Sequence, residues 1–246
     1  MTGDPLLDQA RNLWRELAAE PVDFPASGGA NTVVSPGSRL CPPSWTGIVA
    51  LGGSAIVTAP SRRDARLMAA ASSGLSDEEL ADGQRLREVL PVLDVLGPAS
   101  LCYLDRDCFQ PACGGSAVEE VRGGGTAALL VRAGEQDAAE SGLEDITSPA
   151  FVLRESGVVV AAAGYSTWTQ SVAHLSVLVA PGCRGRGLAR LVASAAVAHA
   201  LGAGLLPQWR ARPLPSLRVA RGLGFRELGC QLSVRLDDTA PPAPGS

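Results

Sequence analysis

The chain has 246 residues, 46% apolar and 19% charged, a profile that fits a soluble globular protein with a sizeable core and excludes a disordered one. A net charge of −4 argues against general nucleic-acid binding through a basic face, and no apolar run reaches bilayer length. Apart from two histidines, every basic residue is arginine, so Schiff-base chemistry, a lysine base and a P-loop lysine are all ruled out.

The start, MTGDPLLDQARNLW, has early acids and no apolar h-region, so a secretory signal is not expected and the cytoplasm is the expected location. Residues 5–20 space Leu6, Ala10, Leu13, Trp14 and Leu17 on one helical face. After a proline-rich loop, TGIVALGGSAIVTAP reads as strand, glycine turn and strand. PSRRDARLMAAASSG predicts a helix that starts at a proline and stops at Gly74. SDEELADGQRLREVL opens on a capping box, Ser76 with Glu79, and GPASLCYL reads as a strand. Glycine clusters set a boundary near 110–125, giving an N-terminal α/β region over 1–115 and a second domain over 116–236. Trp45, in the first region, would line a pocket or pack.

In the second region, FVLRE, a Ser-Gly turn and VVVAAAGYSTW predict a hairpin. VAHLSVLVAP predicts a largely buried strand, and RGRGLARLVASAAVAHALGAG a long helix ending near Gly202 or Gly204. LLPQWRAR is a short strand with a proline, PSLRVARGLG a helix, and FRELGCQLSVRL the last strand. Residues 237–246 are expected to be disordered. The six cysteines form no C-x-x-C pair and have no histidine beside them. They are expected to be free, mostly buried thiols with no metal.

The junction APGCRGRGLAR carries the chemistry. A helix N-terminus offers unpaired N–H groups and the positive end of a dipole, both attractive to phosphate. Gly185 and Gly187 allow close backbone approach, and Arg184 and Arg186 donate to phosphate oxygens. The dinucleotide pattern fails because Arg190 stands where its last glycine would be.

RGRGLA, with Arg184, Gly187 and Ala189, resembles the acyl-CoA signature of the GNAT superfamily of N-acetyltransferases. It follows a V-x-V-x-P strand, opens a helix and precedes PSLRVARGLGF, which looks like the family's later helix. The resemblance covers about residues 125–236. It implies an α/β fold: a mixed, mostly antiparallel sheet with flanking helices, whose two central parallel strands, here 172–180 and 205–210, splay apart. Pro207 would suit the splay, since proline cannot complete a ladder. Acetyl-CoA is the implied co-substrate, with its diphosphate on the amides of Gly185, Arg186, Gly187, Leu188 and Ala189. Its pantetheine would lie along Val177, Leu178 and Val179, where a backbone N–H would meet the oxyanion.

Acid and base follow less directly. The family often has a tyrosine where this chain has Ala220 and an asparagine where it has Pro213, and SVAHLSV has no acid. His174 is the candidate base, Tyr165 a candidate near the acceptor, and Ser216 either a cofactor contact or a helix cap. His199 reads as structural. The implied activity is acetyl transfer to an amine of a small molecule or peptide, with the N-terminal half setting acceptor choice. A homodimer is compatible with it, whereas a nucleic-acid or membrane partner is not expected. The alternatives are a non-catalytic acyl-CoA-binding or sensing protein and a nucleotide-binding regulatory domain.

Overall fold

The structure is a computed structural model that describes residues 3–114, 117–123 and 125–237. The tail expected to be disordered lies, after Asp237, outside the described residues. The chain divides into two compact units, residues 1–101 with 228–246, and residues 102–227. The division therefore falls at 101/102 and again at 227/228, not in the glycine-rich stretch 110–125, which itself includes undescribed positions.

In the first unit, α1 (Pro5–Leu17) starts at a proline, is capped by Asp4 and buries the five residues its spacing predicts. β1 (Ala30–Val34), inside the proline-rich stretch read as loop, pairs in parallel with β3 (Ala55–Ala59). β2 (Thr46–Leu51) is antiparallel to β3 across the predicted glycine turn. α2 (Arg62–Ser72) is capped by Ser61 and so begins two residues after Pro60. The capping box of Ser76 and Glu79 is present, but the following segment forms two short helices, α3 (Asp77–Leu80) and α4 (Gly83–Val89). Asp82 interrupts them by capping the second. β4 (Val92–Tyr103) is longer than GPASLCYL. Ile48, Val57, Met68, Leu80, Leu86 and Leu232 share one core on this sheet. Trp45 is half-buried under the Arg235 guanidinium, 5.8 Å from its ring.

The second unit begins with a segment that gave no sequence signal: β5 (Glu119–Val121), α5 (Ala127–Ala133) and α6 (Glu135–Ser141). The predicted hairpin follows as β6 (Ala150–Glu155) and β7 (Val158–Trp168). Its turn residues Ser156 and Gly157 have φ of 49° and 81°, the left-handed values that a two-residue hairpin turn needs. β8 (Val172–Val179) is antiparallel to β7, and β9 (Leu206–Ala211) runs parallel to β8. α7 (Leu188–Gly202) connects these two strands, and α8 (Leu214–Gly222) precedes β10 (Arg226–Leu236). From Leu228 onward β10 belongs to the first unit, where it pairs antiparallel to β2. A long-range pairing of that kind leaves no mark in local composition.

The strand order within the second unit is β9-β8-β7-β6-β5. β8 keeps one regular register against β7, so its residues alternate without a bulge. Ala173, Leu175, Val177 and Val179 pack with Val192, Ala193, Ala196 and Val197 of α7. On the opposite face Leu178 packs with Leu129 of α5 and Leu143, and Ser176 Oγ donates to the Gly142 carbonyl at 3.1 Å. The alanine-rich α7 is a strong helix former whose small side chains let it lie close to the sheet.

Candidate active site

Two parts of the second unit could hold a ligand. The first lies between the parallel strands. β8 and β9 pair at Val172–Leu206, Ala173–Pro207 and His174–Gln208, and then pairing stops. β8 nevertheless continues to Val179 and β9 to Ala211. Beyond His174 the β9-facing edge of β8 has no strand partner among the described residues, so its polar groups are available to an extended ligand. The splay expected between strands 172–180 and 205–210 is therefore present. Its cause is not Pro207, which sits within the paired rungs.

The second part is the turn that ends β8. A 3-10 turn over Pro181–Cys183 leads to Arg184, and Gly185 and Gly187 adopt φ of 77° and 78°. A Cβ added at either glycine would meet nothing within 4 Å. Glycine is thus needed here for its left-handed backbone rather than for close approach. Among the described residues, the amides of 185–189 donate to no backbone carbonyl. They cluster at the N-terminus of α7, where Gly187 caps without a side chain, an arrangement suited to an anion.

The loop arginines are engaged, which sequence reasoning did not anticipate. Arg184 Nη2 donates to Asp137 of α6 at 2.5 Å, and its Nε to the Val179 carbonyl at 3.3 Å. Arg186 makes a bidentate pair with Glu155, 3.1 and 2.6 Å. Arg186 holds the Glu155 carboxyl below its usual range. Both arginines remain half exposed, and ion pairs open to water are weak, so phosphate oxygens can compete for them. Cys183 is half-buried and packs against the apolar clusters on both faces of the sheet.

The three candidate catalytic residues do not come together. His174 lies at the apex of the splay, its Nδ1 2.5 Å from Gln208 Oε1 and its ring stacked on Trp168 at 4.0 Å and 16°. Loss of water and the nearby Arg210 charge push its pKa down to about 4, so the imidazole is neutral through the physiological range. Tyr165 packs on the other face, against α7, with its hydroxyl 2.9 Å from His199 Nδ1. Burial raises its pKa. It is a core residue, and His199 is structural through this bond and its ring contact with Phe151. Ser216 Oγ accepts from Trp209 Nε1 at 2.9 Å. It makes no cap, because α8 has no side-chain cap bond, and its oxygen already serves the buried indole.

Gln208 was missed in the sequence. It is fully buried, and its Nε2 has no partner. A lone amide in PQW gives no signal until strand register sets it opposite His174. Asp137 and Glu155 were likewise invisible, being 47 and 31 residues from their arginines. None of the six cysteines is in a disulfide, and the expectation of mostly buried thiols fails: only Cys102 is buried, while Cys108 and Cys113 are exposed. Among the described residues no group of three or more His, Cys, Asp or Glu could hold a metal, and no helix is long and apolar enough to cross a membrane.

Residues 149–230 match the model of a family described as GNAT acetyltransferase. No curated protein matches the chain. Among solved structures, an acetyltransferase from the GNAT family of Colwellia psychrerythraea is 13% identical, covering 96% of this chain and 98% of its own, with a TM-score of 0.51. A GCN5-related N-acetyltransferase from Kribbella flavida is 20% identical over 64% of this chain and 63% of its own, TM-score 0.48. A GNAT-family protein from Novosphingobium aromaticivorans is 20% identical over 58% and 65%, TM-score 0.46. The chain thus spans less than two thirds of the length of the last two. The Colwellia likeness is one of fold.

Proposed function

We propose that this chain, whose residues 149–230 match the GNAT acetyltransferase family model, is an acyl-CoA-dependent N-acyltransferase that acetylates an amine of a small molecule or peptide. One observation carries the reading. Pairing of β8 with β9 ends at His174 and Gln208, and the gap that follows leads along β8 to a glycine turn with free amides. An extended thioester with a diphosphate at one end matches that sequence of groups. Acetyl-CoA, when bound, supplies an activated acyl group.

The chain's residues then have separable tasks. The amides of Gly185, Arg186, Gly187, Leu188 and Ala189 hold the diphosphate, with the dipole of α7 behind them. Arg184 and Arg186 exchange or share Asp137 and Glu155 with phosphate oxygens. The backbone of Val177, Leu178 and Val179 pairs with the amides of the pantetheine arm, and an N–H there faces the acyl oxygen. His174 meets the acceptor. With Nδ1–H donated to Gln208 Oε1, its Nε2 carries a lone pair that accepts an amine N–H and orients the amine. A pKa near 4 makes His174 a hydrogen-bond acceptor first and a weak base second, because efficient general bases titrate near the working pH.

That weakness also favours a second reading, an acyl-CoA-binding or sensing protein without turnover. Tyr165 and Ser216 are both committed to core partners, and Ala220 stands where the family often has its tyrosine. Two measurements separate the readings. Melting temperature is taken with acetyl-CoA, CoA, ATP and NAD, on wild type and Arg184→Ala; thiol release is followed over an amine panel. Stabilisation by the CoA compounds alone, weakened in Arg184→Ala, with thiol release in one lane, supports the transferase. Stabilisation without release in any lane supports the sensor. If no CoA compound stabilises, both readings fall.

A further inference from the structure

Gln208 is the one amide buried in an apolar stretch of β9, between Pro207 and the indole of Trp209, which packs edge-on to Phe225. Its Oε1 lies against His174 Nδ1 while its Nε2 is left without a partner. An unpartnered buried donor costs free energy that a leucine or methionine of similar size would not. Nothing in the packing of this strand calls for an amide. What the amide does have is the last rung before the strands part, directly across from His174, whose ring Trp168 holds flat.

We propose that Gln208 is the positioning residue of the site: its Oε1 fixes His174 as the Nδ1–H tautomer, so that Nε2 is presented as a lone-pair acceptor toward the acceptor amine. The inference rests on the transferase reading for its purpose, but not for its test. A free imidazole favours no such arrangement strongly, and it is the bond made by one ring nitrogen that decides the state of the other. Trp168 from β7 contributes only a ring face to His174. Arg210, two residues along β9, is the charge that His174 feels. Neither can accept the Nδ1 proton.

The chain has two histidines, so nitrogen-15 spectra resolve His174 and His199 without ambiguity, and His199, tied to Tyr165, is the internal control. In wild type without any ligand, His174 is expected to be protonated at Nδ1 and bare at Nε2. In Gln208→Met the proton moves to Nε2 while His199 is unchanged. The melting temperature does not fall, because an unpartnered donor has been removed. Turnover falls at least tenfold with little change in KM for acetyl-CoA. In Gln208→Glu the carboxylate favours the imidazolium, so the His174 titration and any acid limb of kcat move to higher pH. An Nε2–H tautomer in wild type overturns the proposal, as does a His174 spectrum indifferent to Gln208→Met. If the wild-type tautomer is as stated but no amine is ever acetylated, the positioning stands and the transferase reading is what fails.

Discussion

The glycine turn at 180–190 and the strand apex at His174 are both ends of one proposed ligand site, yet they are built in opposite ways. The turn is local: eleven consecutive residues supply two left-handed glycines, free amides and three arginines. The apex is assembled from β7, β8 and β9, with Trp168, His174 and Gln208 brought together by register. The turn can therefore hold a ligand wherever the segment folds as a strand and helix. The apex exists only if three strands align to the residue. Binding should survive many distant changes, while chemistry should not.

Removing the apex is the sharpest way to break this comparison. His174→Leu is expected to lower kcat by roughly 10²-fold, the order of loss when a reacting group is no longer held in position, with acetyl-CoA affinity nearly unchanged by calorimetry. A parallel loss of affinity would mean that the two regions are not separable. The same variant carries a pH signature. His174 in the fold sits near 4, below its ordinary value near 6.5. The folded state therefore favours the neutral ring, and this contribution is complete above about pH 6.5 and lost as pH falls toward 4. Urea unfolding of His174→Leu should lack that part of the acid destabilisation.

The turn is tested next with Gly187→Val, which forces a β-branched residue into φ near +78°. A cost of about 1–2 kcal/mol is expected from the left-handed backbone, with a comparable, roughly tenfold, loss of CoA affinity, visible as a smaller ligand-induced rise in melting temperature. Unaltered affinity would remove the turn from the site. Tyr165→Phe probes the core between the two regions. Loss of the bond to His199 should cost about 0.5–1.5 kcal/mol of stability and leave kcat within about twofold; a large fall in kcat would return Tyr165 to the chemistry. The smallest effect is expected of Glu155→Gln. Freeing Arg186 from an exposed, water-screened pair should tighten CoA binding by no more than about fivefold. Weaker binding would mean that Glu155 orients Arg186 for the phosphates instead of competing with them.

How much of this was legible in advance follows the same division. The hairpin at 150–168, the buried strand, the long alanine-rich helix and the glycine turn were all legible, because each depends on period, turn residues or caps within a few positions. β1 was missed inside a loop-like stretch, since its partner β3 lies twenty-five residues on. The engagement of Arg184 and Arg186 was missed because charge partners are found by folding, and so was the turning of Tyr165 into the core.

By itself the sequence determined that this chain makes an α/β protein with a glycine turn between a strand and a helix in a GNAT-like context, because those features are written in adjacent residues. Only the tertiary structure decided which side chains face the gap. A side chain's face alternates with every residue of a strand, and its neighbours are set by registers between strands far apart in the chain. His174 with Gln208, and Tyr165 with His199, were settled there.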